Sequence, residues 1–471
     1  MQSLAWSLHV FLALAASAHI LLHKRQPRSA LPWLVWVWLF PVAGSVVYLY
    51  LGLNQVGRPP HRLVPERRKG RPPGFDTLAA AVAGTPLRTG NRARMFIDGT
   101  EGYPAMLASI RAARLSVDLQ TYIFDFDRVG TAFLAELEAA AGRGVRVRVL
   151  LDGLGAGIRG HLKRRLKLAG GEVRHYWRLG RFFRQPLLNL RNHRKLLVCD
   201  GSVAFTGGLN ISHRYAKGPI ARLRDLGFLV GGRPPVRDVH FAIWGTLVGD
   251  LESCFRDDWK HSGGTEAPVH ARGAAGGVGP GAAGPGAVGR VAARVVRSGP
   301  DEDVGRIYEV LLGALSLAGR SVDLCTPYFI PDQPLLAMLR ILGYRGVRVR
   351  LFVPCVSDHP FMHWAGQEYY QELLDAGVEI WEMGRPFVHA KLAVVDGRWS
   401  FLGSSNLDIR SFRLNFELNV EIRSRALAAG ITALLESYRQ GARKVENSRA
   451  GRRPAWVRLR GALVNLAAPY L

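Results

Sequence analysis

Hydrophobic positions along the chain change their period several times, and each change marks a boundary. Leu4 to Leu22 carries no formal charge, although His9 and His19 interrupt it. Leu31 to Leu53 is apolar and uncharged and holds Trp33, Trp36, Trp38, Tyr48 and Tyr50. About 20 apolar residues cross a bilayer, so the second stretch qualifies clearly and the first marginally. Two transmembrane helices within residues 1–57 are expected. The rival reading of the first stretch is a signal peptide, since Ala16-Ser17-Ala18 resembles a cleavage site. Against it, the first ten residues carry no positive charge and a second apolar stretch follows at once.

From about Thr77 the pattern is that of a globular α/β protein. It predicts a helix over Tyr103–Arg114, a strand over Ser116–Phe124, a helix over Val129–Ala141 and a strand over Val145–Leu151. A second pass predicts a strand over Ser321–Ile330, a helix over Pro334–Leu342 and a strand over Val347–Val353. The letters repeat as well. Ser116-Val117-Asp118-Leu119 returns as Ser321-Val322-Asp323-Leu324, and Gly144-Val145-Arg146-Val147-Arg148 as Gly346-Val347-Arg348-Val349-Arg350. The chain therefore reads as two homologous halves, 77–262 and 290–448, each a mixed sheet flanked by helices. Between them, residues 263–289 are rich in Gly, Ala and Pro, the composition of an interdomain linker.

The segment 449–471 differs from both. Trp456, Leu459, Leu463 and Leu466 recur at helical spacing among Arg452, Arg453, Arg458 and Arg460. Two readings stand: a basic amphipathic helix on anionic lipid, or a helix docked on its own domain.

Charge sharpens the picture. The chain has 63 Lys and Arg against 37 Asp and Glu, a formal +26. Nucleic acid and an anionic membrane surface both fit that balance. Arg58, Arg62, Arg67, Arg68, Lys69 and Arg71 follow the apolar region, and this places the catalytic region on the cytoplasmic side; Lys24, Arg25 and Arg28 between the two apolar stretches weaken the argument. Cys199, Cys254, Cys325 and Cys355 form no metal-ligating spacing and read as reduced thiols.

The candidate chemistry lies in a pattern that occurs twice. His193-Arg194-Lys195 leads through four residues to Asp200 and then to Gly207-Gly208-Leu209-Asn210. His389-Ala390-Lys391 leads at identical spacing to Asp396 and then to Gly403-Ser404-Ser405-Asn406. His and Lys two apart on a strand leave the same face. A pseudo-two-fold axis would bring the two copies together. Two histidines suit phosphodiester exchange: one attacks phosphorus and becomes a phosphohistidine, while the other protonates the leaving alcohol and later deprotonates the incoming one. Lys195 and Lys391 would hold the non-bridging oxygens, with Asn210 and Asn406 donating hydrogen bonds. Gly207, Gly208, Gly403, Ser404 and Ser405 would let backbone amides approach the phosphate. Asp200 and Asp396 end the motif strands, where bonding to nearby backbone or to the motif lysine is expected.

These paired motifs resemble those of the phospholipase D superfamily. Leu188-Asn189-Leu190-Arg191-Asn192-His193-Arg194-Lys195 and the run from Leu402 to Glu417 look most like bacterial cardiolipin synthases. The resemblance covers nearly the whole chain. It implies an α/β fold of two phospholipase D-like halves behind a transmembrane hairpin, and catalysis without metal or other cofactor. It implies that Glu417 and Asp225 orient the histidines, and it favours His193 as nucleophile. For Asp225 an ordinary surface position is the alternative. Asp358-His359 and Tyr369-Tyr370 match the family pattern near the site, or else are loop and core residues. Gln120 stands where the resemblance leads one to expect Glu. The expected activity is transfer of a phosphatidyl group between two phosphatidylglycerol molecules at the bacterial inner membrane, giving cardiolipin and glycerol. Another phospholipid transferase or hydrolase is the first alternative. A nuclease is disfavoured by two motifs beside a membrane anchor, so no nucleic-acid partner is expected. A non-catalytic membrane-binding protein would be expected to have lost a motif His or Lys, and neither is lost.

Overall fold

A computed structural model describes residues 2–23, 27–52, 74–153, 155, 160–176, 190–216, 235–265, 286–300, 304–447 and 454–466. Asp225, most of the Gly/Ala/Pro-rich segment and the basic residues Arg58–Arg71, Arg452 and Arg453 lie outside them.

Among the described residues the two halves join in one sheet of sixteen strands. At its centre Arg88–Ile97 of the first half pairs antiparallel with Val288–Ser298 of the second. Outward from this seam each half repeats one order. In the first half it is Val239–Trp244, Val203–Gly207, Leu196–Cys199, Ser116–Thr121, Arg146–Leu151 and Glu172–His175. In the second it is Asn415–Arg423, Trp399–Gly403, Leu392–Val395, Ser321–Cys325, Arg348–Pro354 and Glu379–Met383, with Ala442–Lys444 at the far edge. Helices cover both faces, so central strands are buried on both sides: all six residues of Ser116–Thr121 are buried.

The duplication extends to buried ion pairs. Arg148 grips Asp118 through Nε and Nη2, both at 2.7 Å, and Arg350 grips Asp323 at 2.7 and 2.9 Å. Removing one partner of such a pair strands a buried charge. Two predicted strands end early. Ser116–Phe124 stops at Thr121, and Ser321–Ile330 divides into Ser321–Cys325 and Phe329–Ile330. In both places a threonine hydroxyl donates to a carbonyl two residues on, Thr121 to Ile123 at 2.9 Å and Thr326 to Tyr328 at 2.8 Å. This local turn competes with the ladder.

The N-terminal region corrects an expectation. Gln2–His23 is one helix, and its portion Trp6–His23 is long and apolar enough to cross a membrane. The second apolar stretch, expected as the clearer span, is broken. It forms Pro27–Leu39, a break at Phe40–Val42, then Ala43–Val47 and a wider turn over Tyr48–Gly52. Pro41 has no N–H for a helical bond and its ring clashes with the preceding turn. Val42 takes φ 58°, a left-handed conformation that β-branched residues rarely adopt. Beyond the break the chain folds back. A Cβ on Gly44 would lie 2.4 Å from the Trp36 carbonyl oxygen, so glycine permits the close return. Tyr48 ends beside Ile20, Ala30 and Trp33, with its hydroxyl 2.8 Å from His19 Nδ1. The 13 residues of Pro27–Leu39 rise about 20 Å, short of a hydrocarbon core of roughly 30 Å.

Candidate active site

Both motif histidines are buried beside the central seam, and each is held by the other half of the chain. Arg191–Asn192, just before His193, pairs parallel with Asn415–Phe416 of the second half. Phe387–Val388, just before His389, pairs parallel with Val236–Arg237 of the first. The His193 amide therefore donates to the Phe416 carbonyl at 2.9 Å, and the His389 amide to that of Arg237 at 2.7 Å.

The residue following each of those carbonyls is an acid. His193 Nδ1 lies 3.2 and 3.1 Å from the two Glu417 carboxylate oxygens. His389 Nδ1 lies 2.7 Å from Asp238 Oδ2. Each carboxylate fixes its histidine with Nδ1–H toward the acid, leaving Nε2 for chemistry. Glu417 thus orients a histidine, that of the opposite half. Among the described residues the acid that meets His389 is Asp238, which the sequence did not single out. Asp238 is the counterpart of Glu417: Gly207 pairs with His240 as Gly403 pairs with Asn419, and each acid stands two residues before that partner.

The lysines complete a buried charge cluster. Lys195 Nζ donates to the His193 carbonyl at 2.7 Å, and Lys391 Nζ donates to that of His389 and lies 2.8 Å from His389 Nδ1 and 3.2 Å from its Nε2. Burial pushes the Lys195 ammonium down to about 7 and lowers that of Lys391 as well. Burial also holds both imidazoles below their ordinary value, His389 far below. Burial raises the Asp238 carboxyl to about 6. Burial acts upward on Glu417 too, but His193, Lys195 and the Ser404 hydroxyl outweigh it and hold Glu417 below the usual glutamate range. Each half's lysine acts electrostatically on the other half's histidine, so the two motifs form one site.

The small residues have a different task from the phosphate cradle expected of them. A Cβ on Gly208 would fall 2.0 Å from Asp238 Oδ1, and one on Gly207 would fall 2.6 Å from the Val239 carbonyl oxygen. A Cβ on Gly403 would lie 2.2 Å from the Leu418 carbonyl oxygen. These glycines clear room for the strands that bear the orienting acids. Ser404, in the place of Gly208, donates from Oγ to Glu417, and the Ser405 amide donates to Asn419 Oδ1 at 3.2 Å. Asn210 is also engaged within the protein: its Nδ2 donates to the Tyr215 hydroxyl at 2.9 Å and its Oδ1 accepts from the Ile123 amide at 3.1 Å. The Asn406 amide donates to Ser411 Oγ at 3.2 Å.

Asp200 and Asp396 stand at the far ends of the motif strands and act on backbone. Asp200 accepts from the amides of Arg114, Leu115 and Ser116, and Asp396 from those of Gly319, Arg320 and Ser321. Each anchors the start of the neighbouring strand, in a site where φ is positive at 54° and 52°. Of the two partners expected for them, backbone and the motif lysine, both acids take backbone.

Arg194, Asp258, Tyr122 and Tyr328 support the site although no sequence pattern singled them out. Arg194, between His193 and Lys195, donates to Asp258 Oδ1 at 2.6 Å and to the Glu417 carbonyl at 3.1 Å. Gln120 Nε2 donates to Asp258 Oδ2 at 2.6 Å and to Asn192 Oδ1 at 2.9 Å. An amide at position 120 thus donates where a glutamate carboxylate would meet Asp258. The Tyr122 ring packs edge-on to His193, centroids 5.0 Å apart. Tyr328 does the same to His389 at 6.2 Å and donates its hydroxyl to Asp358 Oδ1 at 2.6 Å. Asp358 and His359 therefore border the site. Tyr370 is a core residue, and Tyr369 binds Asn465.

A duplicated sheet that presents two acid-backed histidines and two buried lysines at its seam defines a phosphodiester-transfer enzyme of the phospholipase D type. Residues 106–219 and 311–439 match the family described as cardiolipin synthase, PLD-like domain, and the chain belongs to that family. Residues 11–52 match the phospholipase D-nuclease N-terminal family. The chain is 30% identical to the major cardiolipin synthase of Bacillus subtilis over 100% of its own length and 98% of that protein's. It is 29% identical to a cardiolipin synthase of Geobacillus kaustophilus, covering 98% of this chain and 92% of that one. Among solved structures, phosphatidylserine synthase of Haemophilus influenzae shares the fold, with a TM-score of 0.59 at 14% identity over 84% of this chain and all of that one. The chain is a phosphatidyltransferase that acts on phospholipid in association with a membrane.

Proposed function

We propose that the chain makes cardiolipin from two molecules of phosphatidylglycerol. His193 Nε2 attacks the phosphorus of the first; the N–P bond forms as the bond to the headgroup glycerol oxygen breaks. His389, protonated on Nε2 as well as on the Nδ1 that faces Asp238 once the anionic phosphodiester is bound, gives its Nε2 proton to that oxygen, and glycerol leaves. The terminal hydroxyl of the second phosphatidylglycerol then gives its proton to His389 and attacks phosphorus. The N–P bond breaks, cardiolipin forms, and His193 is restored. Lys195 and Lys391 offset the charge on the phosphoryl oxygens throughout.

The observation that carries this reading is the pair of Nδ1–carboxylate contacts, which leaves two Nε2 atoms for one phosphorus. The unequal carboxylates support the division of labour. Glu417, held firmly ionised, backs the nucleophile, while Asp238, raised to about 6, shares a proton with His389.

The membrane region supports a catalytic domain on the cytoplasmic side. If Gln2–His23 spans and the second stretch turns back, the connector and the segment after Gly52 leave the bilayer on one side. Lys24, Arg25 and Arg28 then add to Arg58–Arg71 in place of opposing them, which favours the cytoplasmic face.

The test is product analysis. The full chain in vesicles of phosphatidylglycerol labelled in its headgroup should release one glycerol per cardiolipin formed. Phosphatidic acid as the sole lipid product would replace this reading with hydrolysis.

A further inference from the structure

We propose that the outward face of the helix Ala455–Leu466 docks on an anionic bilayer and holds the active site against the lipid surface. Along one side of this helix Trp456, Leu459 and Leu463 are 64, 62 and 59% exposed. They follow helical spacing, so they form a single stripe. The opposite side is fastened to the protein. Asn465 Oδ1 accepts from the Tyr369 hydroxyl at 2.9 Å, and Gly461 sits so close to Glu368 that a Cβ would meet its Oε1 at 2.4 Å. The Arg460 guanidinium lies over the Trp364 ring at 4.0 Å. A helix pinned on one face keeps its apolar stripe outward because neighbouring structure dictates it.

The element beneath leads to the catalytic centre. Val464 packs on the small cluster of Ile330, Met362 and Ala365, which Tyr328 also joins. Tyr328 touches His389 and donates to Asp358. Val356 in the loop that carries Asp358 and Phe361 in the following helix Pro360–Gly366 are also exposed, and the Phe361 ring meets Trp364 at 5.3 Å. Exposed apolar surface thus runs from the tail helix to the loop bordering His389.

The charge of the segment selects the occupant. From Asn447 to Leu471 the chain carries Arg449, Arg452, Arg453, Arg458 and Arg460 and no acidic residue. Trp and Leu in a segment whose charges are all arginine suit the headgroup boundary of anionic lipid. The same chain carries the apolar helix Gln2–His23, so a bilayer is within reach of every molecule. The inference rests on the phosphatidyl-transfer reading only in taking lipid as the substrate that a membrane-seated site would meet.

The experiment places a nitroxide label at Leu459→Cys or Leu463→Cys in the full chain. A Cys355→Ser background is used, since the other three cysteines are buried. The protein is reconstituted into vesicles of phosphatidylglycerol and phosphatidylcholine. At both positions oxygen should collide with the label more often than a water-soluble nickel chelate, and that preference should fall in vesicles of phosphatidylcholine alone. Labels that meet the nickel chelate more often would overturn the proposal. So would spin–spin broadening between labels, which would mark a second copy of the chain on this face. Cardiolipin is assayed in the same vesicles. Product with water-exposed labels removes the docking surface and leaves the chemistry; lipid-buried labels without product do the reverse.

Discussion

Glu417 belongs to the second half of the chain, yet both of its carboxylate oxygens lie within 3.2 Å of Nδ1 of His193 in the first. Asp238 returns the exchange at His389. Neither half holds a complete site, because each supplies a histidine, a lysine and the acid that the other's histidine needs. The central seam between Arg88–Ile97 and Val288–Ser298 joins the two halves in one sheet, so the proposed site depends on it.

Amide variants of the orienting acids test this exchange. Glu417→Gln and Asp238→Asn keep the shape but remove the charge that fixes each imidazole. Each should lower kcat by roughly 10²- to 10⁴-fold with little change in thermal unfolding. The variants should also differ: Glu417→Gln should slow phosphohistidine formation, and Asp238→Asn should slow proton delivery to the leaving glycerol. Rapid-quench trapping of the intermediate separates the two, and unchanged kcat in either variant would break the proposed role of its acid.

The pH profile follows from two displaced groups. Asp238, raised to about 6 by burial, gains the charge that holds His389 only as pH rises through that value. Lys195, lowered to about 7 by burial, loses its ammonium as pH rises further. The kcat/KM of free enzyme should therefore rise through about 6, fall beyond about 7, and peak in a narrow window between. Asp238→Asn should abolish the acid limb. A plateau reaching well above pH 8 would show that Lys195 keeps its charge in the free enzyme.

Much of this protein was legible in its letters, and the remainder was hidden for a physical reason. The duplication, the motif strands and the helices between them rest on local periodicity, and the ion pairs Asp118–Arg148 and Asp323–Arg350 occupy repeated positions. Which acid meets which histidine depends on strand pairing across the seam, between residues more than 150 positions apart, and no local pattern encodes that. Asp238 did leave a signal. Asp238-Val239-His240-Phe241-Ala242-Ile243 parallels Glu417-Leu418-Asn419-Val420-Glu421-Ile422, an acid followed by a buried strand. The longer segment between motif and acid in the first half disguised the match. Glycines beside a phosphate-handling motif suggested a cradle, whereas their missing side chains make room for protein carboxylate and backbone.

That spacing makes a sharp prediction at Gly208. In Gly208→Ala the new methyl carbon would overlap the buried Asp238 carboxylate, so Asp238 must shift and His389 loses its support. A displacement near 1 Å costs about 10²-fold in rate. Ser404→Ala removes one hydroxyl from Glu417, a bond to a charged group worth about 1.5–3 kcal/mol, and keeps the remaining space. Steady-state rates beside unfolding curves should show the glycine variant losing mainly activity. Equal activity in Gly208→Ala would mean that the site accommodates the methyl group.

Exhaustive EDTA treatment should leave the initial rate unchanged, because Lys195 and Lys391 already compensate phosphoryl charge inside the site. Rates are compared in vesicles of fixed composition, so that cation effects on lipid packing do not enter. Loss of activity that magnesium restores would show that a cation takes part in the reaction.

The break at Pro41 makes a prediction about the membrane. With two full spans and a cytoplasmic catalytic region, the connector around Gln26 would face outward and the N-terminus inward. With one span and a turn-back, Gln26 and Gln55 share the inner side and Gln2 alone lies outside. The contacts favour the second arrangement, since Tyr48 returns to the level of Ile20 and bonds His19. The Trp38 indole also donates to Ser17 at 3.0 Å, which holds the descending segment against the first helix. Lys24, Arg25 and Arg28 would oppose the charge rule in the first arrangement and obey it in the second. Single cysteines replacing Gln2, Gln26 and Gln55 can be treated with an impermeant maleimide in intact and in opened cells. Only the cysteine at position 2 should react before the cells are opened; reaction at position 26 from outside would restore two full spans.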